Sequence, residues 1–251
     1  MKNLLLNLFV ILIGIYSQAQ NQFLEVAYQM EMKMDADRVI SNVPPAIRPH
    51  VESSLREEIK KGIFIDYILQ TNGTESEYKM VEKINNDQTP AGIILQQITA
   101  MDKEPLYKNI PERYYLKPIV AEKAFLMKDS LKNYKWKISK EKVQIAGFDA
   151  FKATGVLNDS VAVTAWYTPK LTMKDGPDRI WGLPGLILKT EFTMNGTDII
   201  ITAVKVDVKK EEIKINRPTK GQEISEEDFI NEMKALEERV KEMMGGGVDT
   251  N

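Results

Sequence analysis

The sequence contains no cysteine among its 251 residues. This absence excludes disulfides, thiolate metal sites, cysteine nucleophiles and the lipid-modified cysteine of a lipoprotein anchor. Histidine is almost as scarce, because His50 is the single one and stands next to Pro49 at the start of a predicted helix. A Ser-His-Asp triad or a histidine metal site would need that one residue. We therefore expect His50 to be an exposed residue at a helix end.

The sequence also lacks the features of a protein that binds nucleotides or nucleic acids. No Gly-rich phosphate loop follows a predicted strand. The 34 basic and 36 acidic residues give a formal net charge of −2, and no basic run interrupts that balance. We expect no nucleic acid among the partners, and the residues predict no cofactor.

A long apolar run is present at the N-terminus. Residues 4–15 are apolar except for Asn7 and Gly14, Lys2 precedes them, and Ala19 provides a small residue where a signal peptidase cleaves. The run is too short for a transmembrane helix, which needs about 20 apolar residues. We expect a cleaved signal peptide over residues 1–19. The mature protein would then be secreted across the inner membrane, be periplasmic or associated with the outer membrane, and not be an integral membrane protein.

Most of the remaining chain alternates apolar and polar residues, which predicts β-strands. The predicted strands are residues 23–34, 63–70, 74–83, 107–120, 125–127, 134–139, 143–145, 148–157, 160–168, 184–194 and 197–208. Asn-Gly pairs at residues 72–73 and 195–196 predict two hairpins with type I′ turns, because that turn needs positive φ at both central residues.

Helical spacing is found in two places. Val51, Leu55 and Ile59 predict a short amphipathic helix, whereas residues 35–49 and 85–105 are predicted to be irregular. Near the C-terminus, Ser225 and Asp228 resemble a capping box, and apolar residues follow at helical spacing. These features predict a C-terminal helix over residues 223–244 and a flexible tail over residues 245–251.

Together, the elements predict a β-rich α+β domain over residues 20–251. Many hairpin-connected strands with few helices favour a single curved antiparallel sheet with a half-barrel-like shape. We expect a short helix in its N-terminal half and the C-terminal amphipathic helix to accompany the sheet. The oligomeric state stays open.

Two sets of side chains could carry chemistry. Asp175 and Asp178 flank a Gly-Pro turn and would serve a carboxylate-dependent hydrolase if they converged in a cleft, although aspartates beside Gly-Pro are common in turns. Met30, Met32 and Met34 lie on one face of the first predicted strand, and their thioethers could bind Cu(I). Methionines in that pattern also pack against apolar surfaces, and this second reading is the more common one.

The densest cluster of glycine, proline and aromatic residues lies within residues 165–195. It predicts a rigid apolar loop that leads directly into a strand. Such a loop either fills the end of a barrel-like core or lines a pocket. If it lines a pocket, the candidate ligand-binding residues are Trp166, Tyr167, Pro169, Trp181, Gly182, Leu183, Pro184 and Gly185.

The hexapeptide Gly-Leu-Pro-Gly-Leu-Ile at residues 182–187 resembles the signature of the GLPGLI family of exported bacterial proteins. The blocks around it agree with the resemblance: Ala-Trp-Tyr-Thr-Pro at residues 165–169, Gly176-Pro177, and upstream positions at Trp136, Gly147-Phe148 and Lys152-Ala153. The similarity extends from about residue 107 to residue 218. One departure is Ala150, where members of the family often have a cysteine.

The resemblance implies export and a single β-rich domain, and it implies no activity because none is established for the family. We further expect similarity to the curved, half-open sheets of periplasmic lipoprotein carriers, in which helices cover an apolar concave face. That expectation concerns the fold and does not determine the function.

The sequence thus leaves several functions open. The first is an envelope binding or carrier protein for an apolar small molecule or for a peptide of an envelope protein. The alternative is a structural or assembly partner of outer-membrane machinery. A carboxylate-dependent hydrolase or a methionine-based Cu(I) binder is less favoured, and we predict no catalytic residue.

Overall fold

The computed structural model describes residues 23–82, 103–120, 123–157 and 160–245, together with the single residues 89, 92, 93 and 96. The predicted signal peptide (residues 1–19), most of the predicted irregular segment over 85–105 and residues 246–251 of the predicted tail lie outside the described residues.

The described residues form one sheet of twelve strands and three helices. The strands are β1 (Phe23–Met34), β2 (Ile63–Thr71), β3 (Glu75–Met80), β4 (Leu106–Asn109), β5 (Tyr114–Val120), β6 (Ala124–Ser130), β7 (Lys137–Ile145), β8 (Phe148–Leu157), β9 (Val161–Thr168), β10 (Leu186–Met194), β11 (Thr197–Lys209) and β12 (Gln222–Ile224). The helices are α1 (Ala36–Ser41), α2 (Arg48–Lys61) and α3 (Glu226–Gly245). The predicted β-rich α+β class is confirmed. The sheet is mixed, however, because β12 pairs in parallel with β6.

The order of the strands shows that the sheet is strongly curved. From edge to edge the order is β12-β6-β5-β4-β3-β2-β1-β11-β10-β9-β8-β7, so ten strand spacings separate β6 from β7. In a flat sheet these would span about 48 Å. Residues 131–136 alone join β6 to β7, and this connection reaches about 25 Å at most. The sheet must therefore curl until β6 and β7 approach each other. Strand β7 also contacts β11, which lies four strand spacings away in the sheet.

The two Asn-Gly pairs behave differently. Asn195 and Gly196 have φ values of 52° and 71°, as a type I′ turn requires, and β10 and β11 pair around them. The prediction of a type I′ turn at Asn72 is wrong, since only Gly73 has positive φ there. The side-chain oxygen Oδ1 of Asn72 instead accepts hydrogen bonds from the backbone N–H groups of Thr74 and Glu75. This Asx interaction makes a longer loop between β2 and β3.

Several further elements differ from the prediction in presence or extent. Helix α1 lies within the segment predicted to be irregular, where the Asp35 carboxylate caps its first N–H groups. The strand predicted over residues 134–139 begins only at Lys137, because residues 131–136 cross the concave face as a connection. The helix predicted from residue 223 begins only at Glu226 as α3, directly after its predicted cap Ser225, because residues 222–224 pair with β6 as β12.

Helices α1 and α2 form a small separate core at one end of the sheet. Both lie in the connection between β1 and β2, and Ile40 of α1 packs there with Val51, Leu55 and Ile59 of α2. The spacing of these three α2 residues was the sequence signal for that helix, and all three are buried as predicted. Pro49 at the start of α2 and Gly62 at its end match the usual asymmetry of helix termini.

The main core is completed by the segment between β9 and β10, residues 169–185, which we call the plug loop. Its apolar residues Leu171, Met173, Ile180 and Leu183 are buried against the sheet. Their burial means that the concave face is filled here by the chain itself.

A buried ion pair fixes the plug loop to the sheet. Lys108 of β4 and Asp175 of the plug loop are both fully buried, and Lys108 Nζ lies 2.6 Å from Asp175 Oδ1. The same ammonium donates to the carbonyl of Gly176 at 2.6 Å. Beside it, the Tyr28 hydroxyl donates to the carbonyl of Ile187 at 2.6 Å. Burial, and next the Asp175 charge, raises the pKa of Tyr28, which keeps this donor protonated.

We predict that Lys108→Met destabilises the fold by about 3–5 kcal/mol, because it leaves the buried Asp175 carboxylate without a positive charge beside it. The double variant Lys108→Met/Asp175→Leu should recover most of that loss, since it removes both charges. Urea denaturation measures both changes. Lys128→Met is the control, because Lys128 forms an exposed ion pair with Glu223 and should cost less than about 1 kcal/mol. Equal losses for Lys108→Met and Lys128→Met would contradict the prediction.

Candidate functional site

The connection of residues 131–136 is joined to the plug loop by hydrogen bonds from side chains to backbone. The indole N–H of Trp136 donates to the carbonyl of Trp181 at 2.9 Å, and the indole N–H of Trp181 donates to the carbonyl of Lys132 at 2.9 Å. The Tyr134 hydroxyl donates to the carbonyl of Arg179 at 3.3 Å. These bonds hold residues 179–181 and the connection side by side across the concave face.

The hexapeptide at residues 182–187 serves the packing of the plug loop. Leu183, Leu186 and Ile187 are completely buried. A Cβ atom on Gly185 would lie 2.1 Å from the carbonyl oxygen of Thr168, so only glycine fits at this close approach. Pro184 is exposed at the turn. Packing against the sheet therefore accounts for the buried residues of the hexapeptide.

The predicted ligand-binding residues are not brought together at one place. Trp166 and Tyr167 are neighbours in β9 and point to opposite faces of the sheet. Tyr167 packs under the plug loop with Leu183, whereas Trp166 lies against Lys189 beside an open hollow formed by the β7–β8 turn and β11. Pro169 is exposed at the start of the plug loop, and Trp181 is half-buried. A shared ligand-binding role for the eight residues stays a prediction.

A partly open cavity adjoins the plug loop, and none of those eight residues lines it. Its volume is about 120 Å³. Apolar side chains from the sheet, the connection and the plug loop form most of the wall: Tyr134, Leu157, Val163, Ile180, Phe192 and Met194. Val163, Tyr134 and Ile180 are buried, while Met194 is 41% exposed, so the cavity is open to solvent beside Met194.

The polar wall of this cavity is built around Arg179. Its Nη1 donates to Glu226 Oε1 at 2.6 Å and, more weakly, to the Tyr115 hydroxyl at 3.4 Å. Its Nε lies 3.8 Å from Asp178 Oδ2. The Tyr115 hydroxyl donates to Glu226 Oε2 at 3.2 Å, so both oxygens of this glutamate are engaged. Lys132 and Ser130 complete the polar wall.

The surroundings of this group keep the Arg179 guanidinium charged and the Tyr115 hydroxyl protonated. The Asp178 carboxylate, and after it Glu226, raises the pKa of Arg179 despite the opposing effect of burial, so the guanidinium stays charged. Burial raises the pKa of Tyr115, although Arg179 opposes this, and Tyr115 remains a protonated donor. The group can therefore orient and bind a polar ligand.

The start of helix α3 is held at the same place. Glu226 is its first residue, and the backbone N–H of Glu226 donates to Asp129 Oδ2 at 3.3 Å. Three residues further, Phe229 packs edge-on against Phe125 of β6 with ring centroids 5.6 Å apart. A second cavity of about 190 Å³ lies beyond this junction and shares Tyr115, Asp178, Arg179 and Glu226 with the first. The Arg179–Glu226 pair thus stands between the two cavities.

Sequence reasoning missed the residues of this polar wall. Arg179 lies inside the glycine-, proline- and aromatic-rich cluster of residues 165–195, but an arginine in a turn is by itself no signal of a site. Glu226 directly follows the predicted helix cap Ser225, and Tyr115 lies in a predicted strand. Their sequence separations, 64 residues for Tyr115 and 47 for Glu226 from Arg179, contain no periodicity that could have linked them.

The acids and methionines proposed for chemistry are in other environments. Asp175 is buried in the ion pair with Lys108, and Asp178 lies in the cavity wall, so the two do not form a pair of carboxylates in a cleft. Met30 packs against the main core, whereas Met34 packs against the α1–α2 core. Within the described ranges no three histidine, cysteine or acidic side chains are grouped to hold a metal ion.

A family model described as a protein of unknown function (Porph_ging) matches residues 155–189. The matched part contains β9, the plug loop and the hexapeptide. The match is consistent with an uncharacterised bacterial family and leaves the GLPGLI name unconfirmed. No curated protein matches the sequence of this chain.

Solved structures show the fold in other proteins. The structure of PNGF-II in two crystal forms is similar with TM-scores of 0.52 and 0.51 at 19% identity. The similarity covers 84% of this chain but only 32% of PNGF-II, so the chain spans about a third of that protein's length. At this identity the likeness concerns the fold alone.

Two more distant structures also align. One is an uncharacterized conserved protein from Thermus thermophilus, with a TM-score of 0.40, 7% identity, and 87% and 99% of the two chains covered. The other is a putative outer membrane lipoprotein-sorting protein domain from Vibrio parahaemolyticus, with a TM-score of 0.26, 9% identity, and 84% and 90% covered. Likenesses this weak carry no argument about the present chain.

Among the described helices, none is both long and apolar enough to span a membrane.

We predict that Leu183→Ala destabilises the fold by about 2–5 kcal/mol, because it empties a fully buried site under the plug loop. The adjacent Pro184→Ala is the control, since Pro184 is exposed and its change should stay within about 1 kcal/mol. Thermal unfolding of the two variants measures the difference. If Leu183→Ala unfolded like the wild type, the hexapeptide would not be a packing element.

Proposed function

We propose that the protein is an exported binding protein of the bacterial envelope that holds an apolar ligand, or an apolar side chain of a partner peptide, in the cavity beside Arg179. The observation that carries the proposal is the cavity itself, which has one apolar wall and one polar wall. Binding sites commonly combine a mainly apolar lining with a few fixed polar groups that orient the ligand.

Rigid surroundings support this role. The plug loop and the connection of residues 131–136 form two sides of the cavity, and their mutual hydrogen bonds fix the positions of Tyr134 and Ile180. Val163 and Phe192 come from the paired strands β9 and β10. A cavity with walls fixed in this way loses little conformational freedom when a ligand enters, which favours binding.

The size of the cavity limits its occupant. At about 30 Å³ per water, a volume of about 120 Å³ holds roughly four waters, or a ligand portion of roughly five non-hydrogen atoms. That corresponds to a short acyl chain or one large side chain. Anything larger would have to extend through the opening at Met194.

The alternative of an assembly partner has weaker support. It would use β7, whose outer edge is free of other strands within the described part of the sheet. Three lysines, Lys137, Lys140 and Lys142, lie along β7. Lysines on an edge strand are a common means of preventing strand addition. The edge therefore favours the binding proposal over strand-mediated assembly.

We expect octan-1-ol to bind the purified mature protein, as measured by saturation-transfer NMR. Met194→Trp should abolish the signal, because it places an indole at the opening. Val208→Trp is the matched control, since Val208 is 55% exposed on β11 and does not line the cavity. The proposal fails if octan-1-ol gives no signal, or if both tryptophan variants reduce it equally.

A further inference from the structure

The cavity beside Arg179 has hydrogen-bond donors that are not in use. Of the nitrogens of Arg179, only Nη1 donates to described residues, and Nε is 3.8 Å from the nearest carboxylate oxygen. An arginine carries five N–H donors in a planar fork. The contact with Glu226 is single, so Nη2 has no acceptor within the described chain, and the side chain is 35% exposed.

Lys132 provides a second unused donor on the same wall. Its Nζ lies 3.9 Å from Asp129 Oδ1, which is longer than a hydrogen bond, and the side chain is 41% exposed. The backbone of Lys132 is fixed, because its carbonyl accepts the indole N–H of Trp181. Lys132 lines the cavity, and the protons of its ammonium remain available for a ligand.

The acceptors of the cavity wall are mostly engaged. Glu226 uses Oε1 for Arg179 and Oε2 for Tyr115. Asp178 is the remaining carboxylate, and it faces the Arg179 guanidinium. Two cationic and two anionic side chains line the cavity, so its charges balance. The donors left for a ligand are Nη2 of Arg179 and Nζ of Lys132, while Asp178 is the one carboxylate of the wall that accepts no hydrogen bond from the described residues.

We infer that the ligand is an amphiphile with a carboxylate, whose oxygens accept from Nη2 of Arg179 and Nζ of Lys132. Its apolar chain lies along Val163, Phe192 and Met194 toward the opening. This inference rests on the proposed function and specifies the class of ligand for the same cavity. Hydrogen bonds to charged groups are stronger than those between neutral groups, so the carboxylate determines selectivity and the chain adds burial.

Three eight-carbon probes separate the contribution of the head group from that of the chain. Octanoate has about ten non-hydrogen atoms, so it would fill the cavity and extend out of it, and octan-1-ol and octylammonium share its chain length. In isothermal titration at about pH 7 we expect octanoate to bind roughly tenfold more tightly than octan-1-ol. Octylammonium should bind more weakly than either, because its charge repeats that of the two donors.

Variants identify the donors. Arg179→Lys keeps a positive charge next to Glu226 but loses the fork, so it should weaken octanoate binding by about fivefold or more and octan-1-ol binding clearly less. Lys132→Gln should act in the same direction. Lys205→Gln is the matched control, because it removes an equal charge from an exposed position on β11 that is not part of the cavity wall.

Asp178→Asn tests whether a negative charge in the cavity wall weakens the binding of a carboxylate ligand. It removes a negative charge from the wall, and asparagine tolerates the positive φ of 49° found there. Octanoate affinity should then rise roughly threefold, and octan-1-ol affinity should rise less or not at all. This gain cannot be produced by damage to the fold, which would lower the affinity for both probes.

The outcomes separate this inference from the proposed function. Equal affinities for octanoate and octan-1-ol, or tightest binding of octylammonium, would overturn the carboxylate inference and leave the binding function intact. The inference would also fail if Lys205→Gln weakened octanoate as much as Arg179→Lys does. If none of the three probes binds, the proposed function itself fails.

Discussion

The constraint on which the structure depends is the shortness of one connection. Residues 131–136 must join two strands that are ten spacings apart in the sheet, and they can do so only if the sheet curls. The curl creates a concave face, and the connection itself crosses that face. Any side chain that stabilises the connection, such as Trp136, therefore also maintains the curvature of the whole sheet.

The curled sheet has an interior that must be filled, and the plug loop fills one part of it. The buried pair of Lys108 and Asp175 gives the loop a single position, because a displaced loop would leave one of the two charges buried and alone. The residues that make the hexapeptide recognisable serve this packing. A recognisable motif and a candidate functional site are thus separate here: Leu183 and Gly185 pack the loop, while Arg179, a few residues earlier, faces the cavity.

The polar wall of the cavity joins three distant parts of the chain. Tyr115 comes from β5, Arg179 from the plug loop and Glu226 from the first turn of α3. Glu226 fixes the start of the helix and at the same time leaves Arg179 with donors to spare. The position of α3 and the arrangement of the cavity's polar wall consequently depend on the same ion pair.

The sequence by itself determined the local elements: the hairpin at Asn195-Gly196 from its turn chemistry, helix α2 from the spacing of Val51, Leu55 and Ile59, and the start of α3 from Ser225. These signals act over a few residues, and so they can be read directly. Only the tertiary structure decided that Tyr167 packs under the plug loop while Trp166 lies beside an open hollow, that Asp175 is neutralised by Lys108, and that Arg179 meets Glu226. The physical reason is that such contacts are set by the curl of the sheet, which depends on pairing between strands far apart in sequence.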